Sequence, residues 1–155
     1  MLLKTFHDED FNNYRLPSMI IGFPYCTFKC SECLCQNSVL AKYKNIDYDT
    51  DELIQRYLGN HLTQAIVMGG LEPLDSFEDI KDFLNKLRWK YKCNDTVVIY
   101  TGYNKDEIED KIRLLSYYPN VIIKIGRYIP NQERHFDNVL GVYLASDNQY
   151  AVKIS

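Results

Sequence analysis

The sequence predicts an α/β fold with a mostly parallel sheet, arranged as an open or partial barrel. Short apolar runs of four to six residues alternate with longer segments whose apolar residues recur at helical spacing. Such alternation is typical of right-handed βαβ units. Three clear units in a chain of 155 residues are too few to close an eight-stranded barrel, which needs roughly 200 residues or more.

Four strands are predicted from apolar runs that stop at or beside glycine. The first, Ser18 to Phe23, is followed by Pro24, and the second, over 65–68, is stopped by Gly69-Gly70. The third covers 96–101 and ends at Gly102, and the fourth covers 121–125 and ends at Gly126. Continuous apolar runs of this length predict strands that are buried on both faces.

Three helices are predicted between these strands. They cover 49–60, 76–91 and 105–117, with Thr50 and Ser76 as candidate N-caps of the first two. The residues expected to face the core are Leu53, Ile54, Tyr57 and Leu58 in the first helix, Phe77, Ile80, Phe83, Leu84 and Leu87 in the second, and Ile108, Ile112 and Leu115 in the third.

The predicted strand ends place four distinctive segments at one edge of the sheet. A cysteine-rich loop follows the first strand, and Gly69-Gly70, Thr101-Gly102 and Gly126-Arg127 end the other three. Ligands of open parallel sheets bind outside the carboxyl ends of the strands. The sequence therefore predicts a single site at this edge.

Composition narrows the class of protein. Hydrophobic residues make up 46% and the formal net charge is −3, which is typical of one globular domain over 1–155 and does not favour a general nucleic-acid binder. No apolar run approaches the roughly 20 residues of a membrane span, and the start turns acidic at once, unlike a secretory signal. We therefore expect a cytoplasmic protein with neither a nucleic-acid nor a membrane partner.

Four of the five cysteines fall within ten residues, which in a reducing compartment indicates a metal or catalytic site. Cys26, Cys30 and Cys33 have the spacing C-x3-C-x2-C, and three thiolates on one loop can hold an iron–sulfur cluster with one iron open to a substrate. Structural zinc prefers four ligands in two separated pairs, and a second pair is missing here. The spacing favours Cys33 as the third ligand and leaves Cys35, two residues later, as the alternative.

The cysteine spacing and its place after the first strand resemble the radical S-adenosylmethionine superfamily. The segment Gly69-Gly70-Leu71-Glu72-Pro73 resembles that superfamily's GGE motif, with Leu71 as an extra residue, and Glu32 stands where an aromatic residue is usual. The resemblance implies a partial βα barrel of the radical S-adenosylmethionine type that holds a 4Fe-4S cluster and S-adenosylmethionine. It implies that Gly69, Gly70, Glu72 and Thr101 bind the second cofactor, with glycine allowing close approach and the carboxylate facing the ammonium.

Within that superfamily the chain resembles the activating proteins of anaerobic ribonucleoside-triphosphate reductase. The resembling segments are Tyr100-Thr101-Gly102-Tyr103, Ile125-Gly126-Arg127-Tyr128 and residues 141–149. This implies that the chain generates a glycyl radical on that large partner enzyme, with electrons from a small protein such as flavodoxin. Two alternatives stay open: action on another glycyl radical enzyme or a peptide, and a non-enzymatic zinc or iron–sulfur module.

Overall fold

The computed structural model describes residues 1–28 and 38–155 and confirms a mixed α/β architecture with a mostly parallel sheet. In chain order the strands are β1 (Leu2–Leu3), β2 (Thr5–Asp10), β3 (Ser18–Phe23), β4 (Ile46–Asp47), β5 (Ala65–Gly70), β6 (Thr96–Tyr100), β7 (Val121–Ile125), β8 (His135–Asp137), β9 (Val142–Leu144) and β10 (Tyr150–Lys153). Six of them form one sheet in the order β10-β7-β6-β5-β3-β2. In the described part of the chain this sheet stays open, with β10 and β2 at its edges.

The four central strands, β3, β5, β6 and β7, run parallel and match the four predicted strands. The bounds of β3 and β7 are those predicted, whereas β6 ends one residue early, at Tyr100. β5 continues two residues further than predicted, because Gly69 and Gly70 pair with Gly22 and Phe23 of β3. The two glycines therefore belong to the sheet and also form its edge at the predicted site.

Both edge strands are antiparallel and escaped prediction. β2 pairs with β3 through registers such as Phe6↔Ile21, and β10 pairs with β7 through registers such as Ala151↔Lys124. Edge strands expose one side to water and carry polar residues, so neither contains an apolar run as long as those of the central strands. A separate two-stranded hairpin, β8–β9, was also missed, because each of its strands is only three residues long.

Three helices, α1 (Thr50–Gly59), α2 (Phe77–Asn85) and α3 (Glu109–Leu115), contribute to one hydrophobic core with the sheet. The predicted inward residues are mostly buried in this core, which also contains Met19, Ile21, Met68, Ile99 and Ile123 from the strands. Leu58 was predicted wrongly, since it is 40% exposed. None of the helices in residues 1–28 and 38–155 is long and apolar enough to cross a membrane.

The helix ends differ from the prediction in three places. Asp49, one residue before Thr50, caps α1 by accepting a hydrogen bond from the Glu52 amide. The Ser76 side chain makes no cap hydrogen bond to α2, which continues as a π-helical turn over Lys86–Lys90. The third segment begins with a 3-10 turn, Lys105–Glu107, and only then enters α3.

The other face of the sheet is covered only in part. Near the amino ends of the strands, Ala65, Val98 and Ile122 pack with Tyr14, Leu140 and Leu144. Toward the carboxyl ends, Val67, Tyr100 and Lys124 line a cavity instead. The fold therefore leaves space on this face, beside the predicted site.

Candidate functional site

A cavity of about 960 Å³ lies at the carboxyl ends of the central strands. The residues that line it include the continuation of β3 and the ends of β5, β6 and β7, represented by Cys26, Gly69, Gly70, Glu72, Thr101, Gly102, Gly126 and Arg127. The structure thus brings the four predicted strand ends together at one site. A volume of this size is typical of a pocket for a small organic ligand.

The described start of the cysteine loop, residues 24–28, lies at this cavity. Cys26 follows β3 by three residues, is exposed and lines the cavity. Cys30, Cys33 and Cys35 lie outside the described residues, so the choice between Cys33 and Cys35 stays a prediction. Within the described residues no group of three His, Cys, Asp or Glu side chains offers another metal site.

Hydrogen bonds fix the segment around Cys26 to the neighbouring strand ends. The Tyr25 carbonyl accepts from the Glu72 amide at 2.7 Å, and the Thr27 amide donates to the Asp75 carboxylate at 2.7 Å. The Tyr103 hydroxyl donates to the other Asp75 oxygen at 2.7 Å and lies 3.1 Å from the Thr27 hydroxyl. The base of the loop is therefore held in place by groups that follow β5 and β6.

Two adjacent glycines at the end of β5 have different roles. A Cβ built on Gly69 would meet no atom of residues 1–28 and 38–155 within 4 Å beyond its chain neighbours, which leaves its face open to the cavity. Gly70 has a φ of +91°, and a Cβ there would lie 2.5 Å from the Phe23 amide nitrogen, so only glycine fits. Gly70 thus shapes the backbone, whereas Gly69 provides space for a ligand.

Glu72 is almost fully buried and connects three segments. Its Oε1 accepts from the Thr101 hydroxyl at 2.8 Å and from the Leu74 amide at 3.0 Å, and its Oε2 accepts from the Gly102 amide at 2.8 Å. Burial raises the pKa of the Glu72 carboxyl to about 6, although the hydrogen bonds from Gly102, Leu74 and Thr101 oppose that shift. The predicted residues Glu72 and Thr101 are therefore bonded to each other at the cavity wall.

The burial of Glu72 predicts a pH dependence of stability. Because its folded pKa of about 6 exceeds the ordinary 4.5, the unfolded chain loses this proton first. The contribution of Glu72 to the free energy of unfolding is fully present below pH 4.5. It is lost as the pH rises through 6, which lowers that free energy by about 2 kcal/mol. We expect thermal melts between pH 4 and pH 8 to show the wild type losing stability relative to Glu72→Gln as the pH rises.

That comparison carries its own control. Hydrogen bonds lower the pKa of two other carboxyls: that of Asp8 through the Arg56 side chain, and that of Glu107 through the Asn104 backbone. Both residues are present in the wild type and in the variant, so their effects on stability cancel in the comparison. A melting-temperature difference that stays constant over this range would contradict the assignment.

Lys124 is a functional candidate that the sequence reading missed. It is 7% exposed, lines the cavity, and donates from Nζ to the Gly126 carbonyl at 3.2 Å. Burial lowers its pKa to about 8, and the Glu72 charge partly opposes this shift. A single lysine inside the apolar run Val121–Ile125 was the available signal.

The charged groups that line the cavity are mainly positive. The described lining contains Lys124, Arg127 and Arg134, against the single carboxylate of Glu72. This contrasts with the net charge of −3 for the whole chain. A cavity of this character suits an anionic group, such as a thiolate-bound iron–sulfur cluster or a carboxylate.

The residues present fit the iron–sulfur cluster that the cysteine spacing predicts, since a thiol lies at the mouth of a cationic cavity whose wall is open at Gly69.

Comparison with known proteins gives an independent result: a family model described as a 4Fe-4S single cluster domain matches residues 19–149. No curated protein and no solved structure matches the chain. The matched range runs from β3 to the residue before β10 and includes all the predicted ligands. The chain therefore belongs to the 4Fe-4S single cluster domain family and is an iron–sulfur protein.

Proposed function

We propose that this iron–sulfur protein cleaves S-adenosylmethionine reductively and generates a glycyl radical on a partner enzyme, anaerobic ribonucleoside-triphosphate reductase. The observation that carries the proposal is the single cavity that joins Cys26 to the open face of Gly69. When bound, a reduced cluster supplies one electron that splits the cofactor into methionine and a 5′-deoxyadenosyl radical, which takes a hydrogen atom from glycine. The chain's own residues bind and orient the reactants.

The ends of the strands carry side chains that could bind the carboxylate and the ammonium group of an amino acid. Lys124 provides a positive charge for a carboxylate at the cavity floor. Among the described residues, Glu72 Oε2 accepts one hydrogen bond, from Gly102, which leaves it acceptor capacity for an ammonium. In this proposal Glu72 and Lys124 orient the methionine end of the cofactor, and Gly69 and Gly70 let it approach the sheet.

The rim of the cavity supports a protein as the second substrate. Tyr143 is 60% exposed and lines the cavity, with its ring 5.3 Å from that of Phe136, which is 49% exposed. Exposed aromatic side chains are typical of protein interfaces. The partner's identity and a flavodoxin-like electron donor follow from the sequence resemblance and are part of the proposal. A different glycyl radical enzyme or a peptide would use the same site.

The proposal predicts a specific set of products. After anaerobic reconstitution and reduction, we expect the protein to convert S-adenosylmethionine into equal amounts of methionine and 5′-deoxyadenosine. With the reductase present, electron paramagnetic resonance is expected to show a glycyl radical. Cleavage without that radical would favour another partner. A reduced, fully loaded protein that yields neither product would instead be a non-enzymatic iron–sulfur module.

A further inference from the structure

The base of the cysteine loop is covered by a cation that no part of the proposed function uses. The guanidinium carbon of Arg127 lies 4.1 Å from the centroid of the Phe28 ring, within the range of a cation–π contact. The Phe28 ring in turn contacts Tyr103 edge to face, with centroids 4.5 Å apart. Phe28 lies two residues after Cys26, so this stack covers the start of the segment that carries the thiolates.

The position of Arg127 is fixed from its other side. Its Nη2 lies 3.2 Å and 3.3 Å from the two carboxylate oxygens of Glu107. Glu107 also accepts from the Asn104 amide at 2.7 Å within a capping box, so the carboxylate belongs to a structured turn. The guanidinium is therefore held between that turn and the Phe28 ring.

The ring beneath Arg127 has little room to move. A Cβ built on Gly102 would lie 2.7 Å from Phe28 Cε2, which shows how closely the ring packs against the backbone after β6. The same Gly102 donates its amide to Glu72. Arg127, Phe28 and Gly102 therefore form one stack from the end of β7 to the end of β6.

We propose that Arg127 is a positioning residue for the iron–sulfur cluster: it holds the Cys26 segment through Phe28 and places a fixed positive charge beside that segment. A cluster bound by thiolates becomes more negative on reduction, and its potential depends on charge and exposure around it. A nearby cation favours the reduced form and so raises the reduction potential. The proposal rests on cluster binding, which the family shows, and is independent of S-adenosylmethionine cleavage.

Potentiometric titration of the reconstituted protein tests the charge. Arg127→Gln is expected to shift the cluster potential to more negative values, whereas Arg127→Lys, which keeps the charge, stays near the wild type. Arg113→Gln is the matched control, because Arg113 also pairs with a carboxylate, that of Asp110, but lies exposed on α3 away from the cavity. It should leave the potential unchanged.

Chelator challenge tests the positioning. Phe28→Leu removes the ring that Arg127 covers, and we expect cluster loss to become several-fold faster while the melting temperature stays near the wild type. For every variant, iron content and the electron paramagnetic resonance spectrum of the reduced cluster are measured without S-adenosylmethionine. A negative result for Arg127 is therefore distinct from a failure of the cleavage proposal.

Three results would overturn the inference. One is a wild-type potential for Arg127→Gln, or a shift equal to that of Arg113→Gln. Another is a wild-type rate of cluster loss for Phe28→Leu. The third applies if Arg127→Gln takes up no iron, in which case Arg127→Lys is the deciding variant. A wild-type potential in Arg127→Lys supports the role of the charge, and failure of Arg127→Lys to take up iron contradicts it.

Discussion

Replacing Cys26 with alanine is expected to abolish the cluster. Iron per chain should fall from about four to near zero after anaerobic reconstitution, and the visible charge-transfer absorbance should disappear. The reason is the number of ligands: a cluster held by three thiolates of one loop keeps only two after the change. The fold should survive, because Cys26 is exposed and lies in the loop after β3, outside the strands and helices.

The other cysteines complete this test. Cys93→Ala is the matched control, because Cys93 is buried just before β6, at the opposite edge of the sheet, where its carbonyl accepts a hydrogen bond from Arg88. It should retain full iron. Cys30→Ala and Cys33→Ala should lose the cluster, and Cys35→Ala should keep it. Loss with Cys35→Ala and retention with Cys33→Ala would identify Cys35 as the third ligand, and a loaded Cys26→Ala protein would refute the ligand set.

The centre of the fold was predictable because burial leaves a local signal. β3 and β7 are almost wholly buried, so their sequences are mainly apolar, and their bounds were predicted to the residue. The edge strands β2 and β10 are held by pairing with distant segments. Their stability comes from partners that a local pattern does not contain, so the sequence did not reveal them.

The site divides in a similar way. Glycines at strand ends and clustered cysteines are recognisable from residue type and spacing alone. Lys124 and Arg127 depend on which neighbours the fold supplies: Lys124 is important because it is buried at the cavity floor, and Arg127 because Phe28 lies beneath it. Asp75 likewise acquires its role only when Thr27 and Tyr103 reach it across the strand ends. Such contacts join residues 28 to 99 positions apart, beyond any local pattern.

Valine in place of Gly69 is expected to separate cluster binding from cofactor binding. Its Cβ would have open space, with no other atom of the described part of the chain within 4 Å, so the chain should fold and take up iron as the wild type does. The side chain would occupy the cavity beside Glu72 and Thr101, where the second cofactor is proposed to lie. We expect S-adenosylmethionine to bind about 100-fold more weakly, a cost of about 2.7 kcal/mol, and cleavage to fall accordingly.

Two other glycines make this prediction specific. Gly59, at the end of α1, likewise has open space for a built Cβ among the residues that the structure describes. It lies away from the cavity, so Gly59→Val should bind the cofactor normally. Gly70→Val should instead lower the melting temperature, because its φ of +91° and the Phe23 backbone exclude any side chain. Cofactor affinity, from isothermal titration calorimetry, and melting temperature are measured for all three variants. Together they distinguish a blocked cofactor site from a destabilised fold. Wild-type binding by a loaded Gly69→Val protein would place the cofactor away from β5 and remove the main support for the proposed function.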